Sequence, residues 1–224
     1  MPRSAMPPLT WPCRVATVLA LAAALAVLPM RAGWCDERPA RGHKDVRSLL
    51  ELRRDKVILQ EYDISCGAAA LATILVYQHG DAVAEETVAK SMLQHTEVDT
   101  VRARLGFSLL DLKRYAERRG YAADGYAGVT LADLRQMGPA IVRVHINVYD
   151  HFVVFRGIQG DRVLLADPAF GNRTMRIDEF VAAWRDQVAF FVSRLDGQAP
   201  PDRLSSEPRD FIVPSKQAVR AALG

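Results

Sequence analysis

Hydrophobic and polar positions divide the chain into legible pieces. Residues 15–28 (VATVLALAAALAVL) are unbroken apolar. Residues 36–56 are charged, with a modest apolar stripe at Val46, Leu49, Leu50 and Leu52 that predicts a short helix after a flexible lead-in. Residues 66–79 are apolar almost all round and stop at Gly80, the pattern of a buried helix with a glycine C-cap. A second helix is predicted over 85–93. Ser108-Leu109-Leu110-Asp111 reads as a capping box opening a third, which runs to Arg119 and stops at Gly120. Thr130-Leu131-Ala132-Asp133 repeats that signature for a short fourth helix, stopped by Gly138-Pro139.

After Pro139 the period changes. Over 140–146, Val142, Val144 and Ile146 share one face and Arg143 and His145 the other, which predicts a strand. Residues 152–158 and 162–166 are strand-like around a hairpin turn at Gln159-Gly160-Asp161. A short helix over 178–184 and a strand over 188–195 complete the pattern. Gln198-Ala199-Pro200-Pro201 then begins a tail expected to be extended, with a last helix near 215–223. Helices first and antiparallel strands later predict an α+β fold. The expected organisation is a signal peptide at 1–35, a charged lead-in at 36–56, one domain at 57–195 and an extended tail at 196–224.

Composition narrows the class. A chain of 224 residues, half of them hydrophobic, is long enough for one ordinary domain plus tails. It is too apolar for a disordered protein and too poor in cysteine for a disulfide-stapled one. One long apolar run excludes a multi-span membrane protein. That run is shorter than the roughly 20 residues a spanning helix needs. A basic start (Arg3, Arg14), a short apolar core and small residues after Pro29 describe a secretory signal, with processing after Ala32 or Cys35. Bulky Trp34 disfavours a lipoprotein site at Cys35, and an uncleaved anchor stays open as the alternative. Residues 1–35 hold Arg3, Arg14 and Arg31 and no acid, so they account for the whole formal charge of +3. What remains is balanced, which offers no surface for nucleic acid. No phosphate-binding G-x-x-x-x-G-K loop, H-E-x-x-H or paired Cys-x-x-Cys occurs. No ATP, cofactor or metal is therefore expected.

Chemistry centres on cysteine. Cys13 lies inside the signal and Cys35 at its boundary, so cleavage after Cys35 leaves Cys66 alone in an oxidising compartment. Such a thiol is a candidate reactive group, or a buried inert one, and composition does not separate the two. Its position does. Cys66 begins the apolar helix, where the positive end of the helix dipole favours thiolate. Gly67 and Ala68, Ala69 and Ala70 allow close packing around it. A nucleophile needs a base and an orienting partner. His43, His79, His95 and His145 each have an ordinary reading, His79 as a favourable charge at a helix end. His151 begins the strand Phe-Val-Val-Phe. With the hairpin centred near Gln159, His151 and Asp167 are equidistant from the turn and are expected to face each other across the pair. Asp167 also reads as a turn acid before Pro168. Gln60, six residues before Cys66, is either a polar residue at a strand end or a neutral amide donor that joins the Cys66 backbone N–H in an oxyanion hole.

Together these residues resemble a known family. The run Gln60-Glu61-Tyr62-Asp63-Ile64-Ser65-Cys66-Gly67-Ala68-Ala69-Ala70-Leu71 resembles the Gln…Cys-Gly-x-x-x-Leu motif of the bacteriocin-processing, double-glycine leader peptidases, which are papain-like cysteine peptidases. His151-Phe152-Val153-Val154 resembles their histidine motif, and Ala166-Asp167-Pro168-Ala169-Phe170-Gly171 their aspartate motif. The resemblance implies a papain-like α+β fold with the nucleophile helix packed on an antiparallel sheet. It also implies Cys66 as nucleophile, His151 as general base and acid, Asp167 as orienter and Gln60 as oxyanion donor. The family usually has Asp where Ser65 stands, and usually belongs to an ATP-driven exporter for which this chain has no room. The segments 106–115 and 167–175 are similar to stand-alone exported members associated with functional-amyloid (Fap-type) secretion systems. That narrower likeness implies a periplasmic cysteine peptidase whose partner is a protein or peptide substrate, an amyloid subunit or a secretion-system component. The membrane would be touched only through an uncleaved signal anchor. The alternative is a non-catalytic peptide-binding adaptor or chaperone using the same cleft. An acyltransferase or a glutamine deamidase would use the same triad.

Overall fold

The computed structural model describes residues 47–146 and 149–211. The expected signal peptide, the first part of the lead-in and the expected last helix lie outside them. Among the described residues no helix is long and apolar enough to cross a membrane.

Six antiparallel strands form one sheet in the order β1-β6-β2-β3-β4-β5. They are β1 (Tyr121–Tyr126), β2 (Ala140–Ile146), β3 (Tyr149–Gln159), β4 (Arg162–Asp167), β5 (Gly171–Arg176) and β6 (Ala189–Arg194). Helices cover both faces. On one face lie α2 (Cys66–Thr73), α3 (Glu85–Leu93), α4 (Val98–Ala103) and α5 (Leu109–Arg118), whose Leu71, Val88, Val101 and Leu112 share a core with Val154 and Phe190. On the other, α6 (Leu131–Met137) and α7 (Ile177–Ala183) contribute Leu134 and Phe180 to a core with Val153, Phe155 and Leu165. Val153 and Phe155 face one core and Val154 the other, as strand geometry requires. Covering both faces explains why Phe152 to Phe155 is apolar without alternation.

The two predicted capping boxes are present. Ser108 Oγ accepts from Asp111 N before α5, and Thr130 Oγ1 from Asp133 N before α6. Helix α2 is wholly buried, continues as a π turn over Ile74–Gln78 and ends before Gly80 at φ +74°. The lead-in helix is α1 (Leu49–Arg54), but its stripe is not a packing face: Leu49 and Leu50 are exposed. The apolar stretch 57–59 is extended without pairing in the sheet; Ile58 N donates to Thr73 Oγ1 instead.

Two readings need correction. His79 is not a charged helix-end residue. It is buried, its Nε2 lies 3.2 Å from the Val192 carbonyl, and burial lowers its pKa. The β3–β4 register also differs from a turn centred on Gln159. Gln159 pairs with Arg162, so the turn is Gly160-Asp161, and a bulge between Phe155 and Gly157 then shifts the pairing to Val154↔Ala166. Asp167 therefore falls opposite Val153, two residues along from His151. The two share a face as diagonal neighbours, which side chains of this length still bridge.

The chain beyond β6 is extended and docked. Arg203 N and Asp202 N donate to the carbonyls of Tyr77 and Gln78, which the end of the π turn after α2 leaves free. Leu204 is fully buried in the same core as α2. Arg156, buried on the β3 bulge, holds this strap through Nε to the Leu204 carbonyl (2.8 Å) and an ion pair to Asp210 (3.1 Å). A Cβ on Gly157 would overlap Ser206 Oγ, so glycine there makes the approach possible.

Candidate active site

Cys66 is the first residue of α2, so its backbone N–H has no partner inside the helix. The small residues after it set how closely the helix sits. A Cβ on Gly67 would lie 3.2 Å from Leu112 Cδ1 and 3.3 Å from Phe152 Cδ2, which makes glycine the residue that lets α2 close onto β3. Seating Phe152 on Gly67 brings its neighbour His151 to Cys66. Cys66 is 7% exposed and forms part of the wall of a cleft of about 520 Å³ lined also by Gly106, Phe107, Leu110, Arg143 and Asp186. Phe107 also lines a second, mostly apolar groove of about 360 Å³ with Ile64, Leu93 and Val101.

His151 is 3% exposed, and its Nε2 lies 2.7 Å from Asp167 Oδ1. Burial alone lowers its pKa. The Asp167 hydrogen bond, the Cys66 side chain and the charges of both outweigh burial and lift it to about 9. The imidazole is thus charged at neutral pH, with both ring nitrogens donors. Asp167 is fully buried at the end of β4. Its Oδ1 also accepts from Ala169 N at 2.9 Å, the local bond of an Asp-Pro turn, so the turn role and the pairing with His151 coexist. Burial raises its pKa, but the hydrogen bond and charge of His151, the charge of Arg173 and the Ala169 bond hold it below the usual carboxylate range.

Gln60 sits beside this turn, its N donating to the Pro168 carbonyl at 2.9 Å. Its side chain is turned into its own loop: Nε2 donates to the carbonyls of Tyr62 (2.9 Å) and Asp63 (3.3 Å), and Oε1 is buried without a partner. The fold thus brings Cys66, His151 and Asp167 together, while the Gln60 amide is committed elsewhere. Ser65, where the resembled family has Asp, is buried and donates to the Tyr62 carbonyl at 2.8 Å.

Arg173 was not readable as a site residue. Its Nε lies 2.9 Å from Asp167 Oδ2 as an ion pair poorly aligned for a hydrogen bond, and its guanidinium stands 5.8 Å from the centre of the Phe170 ring. The signal available was its place in the segment 167–175, which resembles the family's stand-alone exported members. Among the described residues no three His, Cys, Asp or Glu side chains cluster as a metal site.

Comparison with known proteins agrees with this geometry. Residues 54–196 match the Peptidase C39 family. Over 147 residues the chain is 43% identical to the probable functional amyloid protease FapD of Pseudomonas aeruginosa, covering 65% of this chain and 64% of that protein. Over 145 residues it is 43% identical to the probable functional amyloid protease FapD of Pseudomonas fluorescens, with the same coverage. The match thus spans a little under two thirds of the length of these relatives. Among solved structures, the peptidase domain of Streptococcus ComA, a bi-functional ABC transporter involved in quorum sensing, superposes with a TM-score of 0.52 at 20% identity, over 62% of this chain and 97% of that one. That likeness shows the fold, the papain-like α+β arrangement of helix on antiparallel sheet. With most of its described domain inside the matched stretch, the chain belongs to the Peptidase C39 family.

Proposed function

We propose that the protein is an exported cysteine peptidase that hydrolyses a peptide bond in a protein client. Cys66 is the nucleophile, His151 the general base and acid, and Asp167 the orienter of the imidazole. The observation that carries this is the buried His151–Asp167 pair, 2.7 Å apart, set against the thiol at a helix N-terminus. A buried acid and base with a cysteine beside them serve nucleophilic chemistry and have no use in a binding cleft.

The charged imidazole stands beside the Cys66 sulfur. The sulfur attacks the peptide carbonyl carbon, and the carbonyl oxygen takes the negative charge. The Cys66 backbone N–H faces that charge. Gln60, the second donor that the family likeness implies, would join it only once its Nε2 left the Tyr62 and Asp63 carbonyls, a donation worth about 10²–10³ in rate. When the C–N bond breaks, His151 gives its proton to the leaving amine. Neutral His151 then takes a proton from water, which attacks the thioester and releases the thiolate. Throughout, Asp167 holds the ring through Nε2 and leaves Nδ1 for the sulfur.

The signal-like pattern at 1–35 supports export to the periplasm. Likeness to the two Pseudomonas probable functional amyloid proteases supports a client from a functional-amyloid system, either the amyloid subunit or a secretion component. The test is intact-mass analysis of purified candidate clients incubated with the protein and with Cys66→Ala. Cleavage into two chains by the first and none by the second is expected. Processing that survives in Cys66→Ala, or a mass change without chain scission, contradicts a peptidase.

A further inference from the structure

The turn that carries Asp167 is gripped from outside the stretch that matches the family. That stretch is residues 54–196. Most of α1 precedes it and the docked strap follows it. Asn172, half-buried on β5 opposite Ala166, meets both. Its Nδ2 donates to the carbonyls of Leu52 (3.1 Å) and Asp55 at the end of α1. Its Oδ1 accepts from Arg156 Nη1 at 2.8 Å, and Arg156 in turn holds Leu204 and Asp210 of the strap. Around it the contact is close. Arg53 Nη2 donates to the Phe170 carbonyl at 2.8 Å. Gly171 has φ +81°, and a Cβ there would overlap the Arg53 carbonyl, so α1 lies directly on the turn. On either side of Asn172 in sequence, Gly171 pairs with Asp167 and Arg173 reaches its Oδ2.

We propose that Asn172 is a positioning residue for Asp167, fixing the 167–171 turn and Arg173 between α1 and the C-terminal strap so that the carboxylate meets His151. The proposal rests on the reading of Asp167 as the orienter of His151. Asn172 touches no reacting atom and acts through the turn. Its amide suits the place because it supplies a donor to two helix-end carbonyls, of which Leu52 also accepts from Asp55 N, and an acceptor to a guanidinium at once. A carboxylate would face two carbonyls, and an apolar residue would take the partner from the Asp55 carbonyl and from Arg156 Nη1.

The test uses the full chain and needs no client. The rate at which iodoacetamide alkylates Cys66 is measured against pH, with thermal unfolding as the control for folding. In the wild type a step near pH 9 reports loss of the His151 proton. Burial lowers it and Asp167 and Cys66 raise it; the Tyr149 ring also faces the imidazole, 6.1 Å away. In Asn172→Ala that step is expected to move down by about half a pH unit or more, because a loosened carboxylate holds the imidazolium less well. A step that stays in place in a folded but less stable Asn172→Ala makes the residue purely structural and overturns the proposal. Arg53→Ala removes a grip on the same turn from a helix with no buried residue, so it leaves the core intact. It is expected to move the step in the same direction by less. If Asn172→Ala does not fold, an unmoved step in Arg53→Ala overturns the proposal. Absence of any His151-dependent step in the wild type, judged against His151→Ala, instead overturns the reading of the site itself.

Discussion

Arg173 Nε lies 2.9 Å from Asp167 Oδ2, the carboxylate oxygen that His151 does not use. Asp167 is therefore held between two cations, one on each oxygen. Burial opposes ionisation of this carboxyl, and the two cations reverse that. The consequence reaches Cys66, because an anionic Asp167 helps to keep the His151 imidazole charged beside it.

Arg173→Met keeps bulk over Phe170 and removes the charge. A carboxyl whose folded pKa is depressed stabilises the fold above its unfolded value of about 3.9, and that contribution is lost as pH falls through the folded value. Urea denaturation is expected to find the variant less stable by about 1–3 kcal/mol at pH 7. The gap should close as the pH is lowered toward 2. A gap that is the same at both ends would assign Arg173 to packing alone.

His151 gives the opposite dependence. Its folded pKa, about 9, lies above the unfolded value. Its contribution is complete below about pH 6.5, where the ring is charged in both states, and is lost as pH rises through about 9. The stability difference between the wild type and His151→Gln should therefore shrink between pH 6 and pH 10. Denaturation midpoints at the two pH values measure it, and a constant difference counts against the charged pair.

The strap makes a prediction about the core. Leu204 is fully buried with α2 although it follows the proline-rich segment that reads as a tail. Leu204→Ala is expected to cost about 2–5 kcal/mol, the cost of a large-to-small core change. A change under about 0.5 kcal/mol in chemical denaturation would mean that the strap does not stay docked.

The site was more legible than its supports. Cys66, His151 and Asp167 each stand in a pattern with its own physical meaning: a thiol before small residues, an imidazole opening an apolar strand, a carboxylate before proline. The approach of His151 to Asp167 was foreseen from the hairpin, with the register misjudged because the bulge beside Gly157 leaves no periodic trace, and Cys66 was joined to them through the family resemblance. β1 and β5 were not foreseen, since YAADGY and GNRTMR are polar edge strands with glycine and few β-branched residues. α4 was missed because a single residue, Val101, is buried in it. Arg156, Asn172 and the strap were invisible for a different reason. A buried guanidinium bound to a carbonyl from 48 positions away has no local pattern. Such contacts follow from topology, not from spacing.

The measurement closest to the central claim is the iodoacetamide reaction at pH 6, read as intact mass. An ordinary thiol, with a pKa of about 8.5, is under about 1% ionised there. A Cys66 paired with the charged His151 should be alkylated fast in the wild type and about 100-fold more slowly in His151→Ala. Equal, slow labelling of the two would show that His151 does not activate Cys66 and would contradict the account.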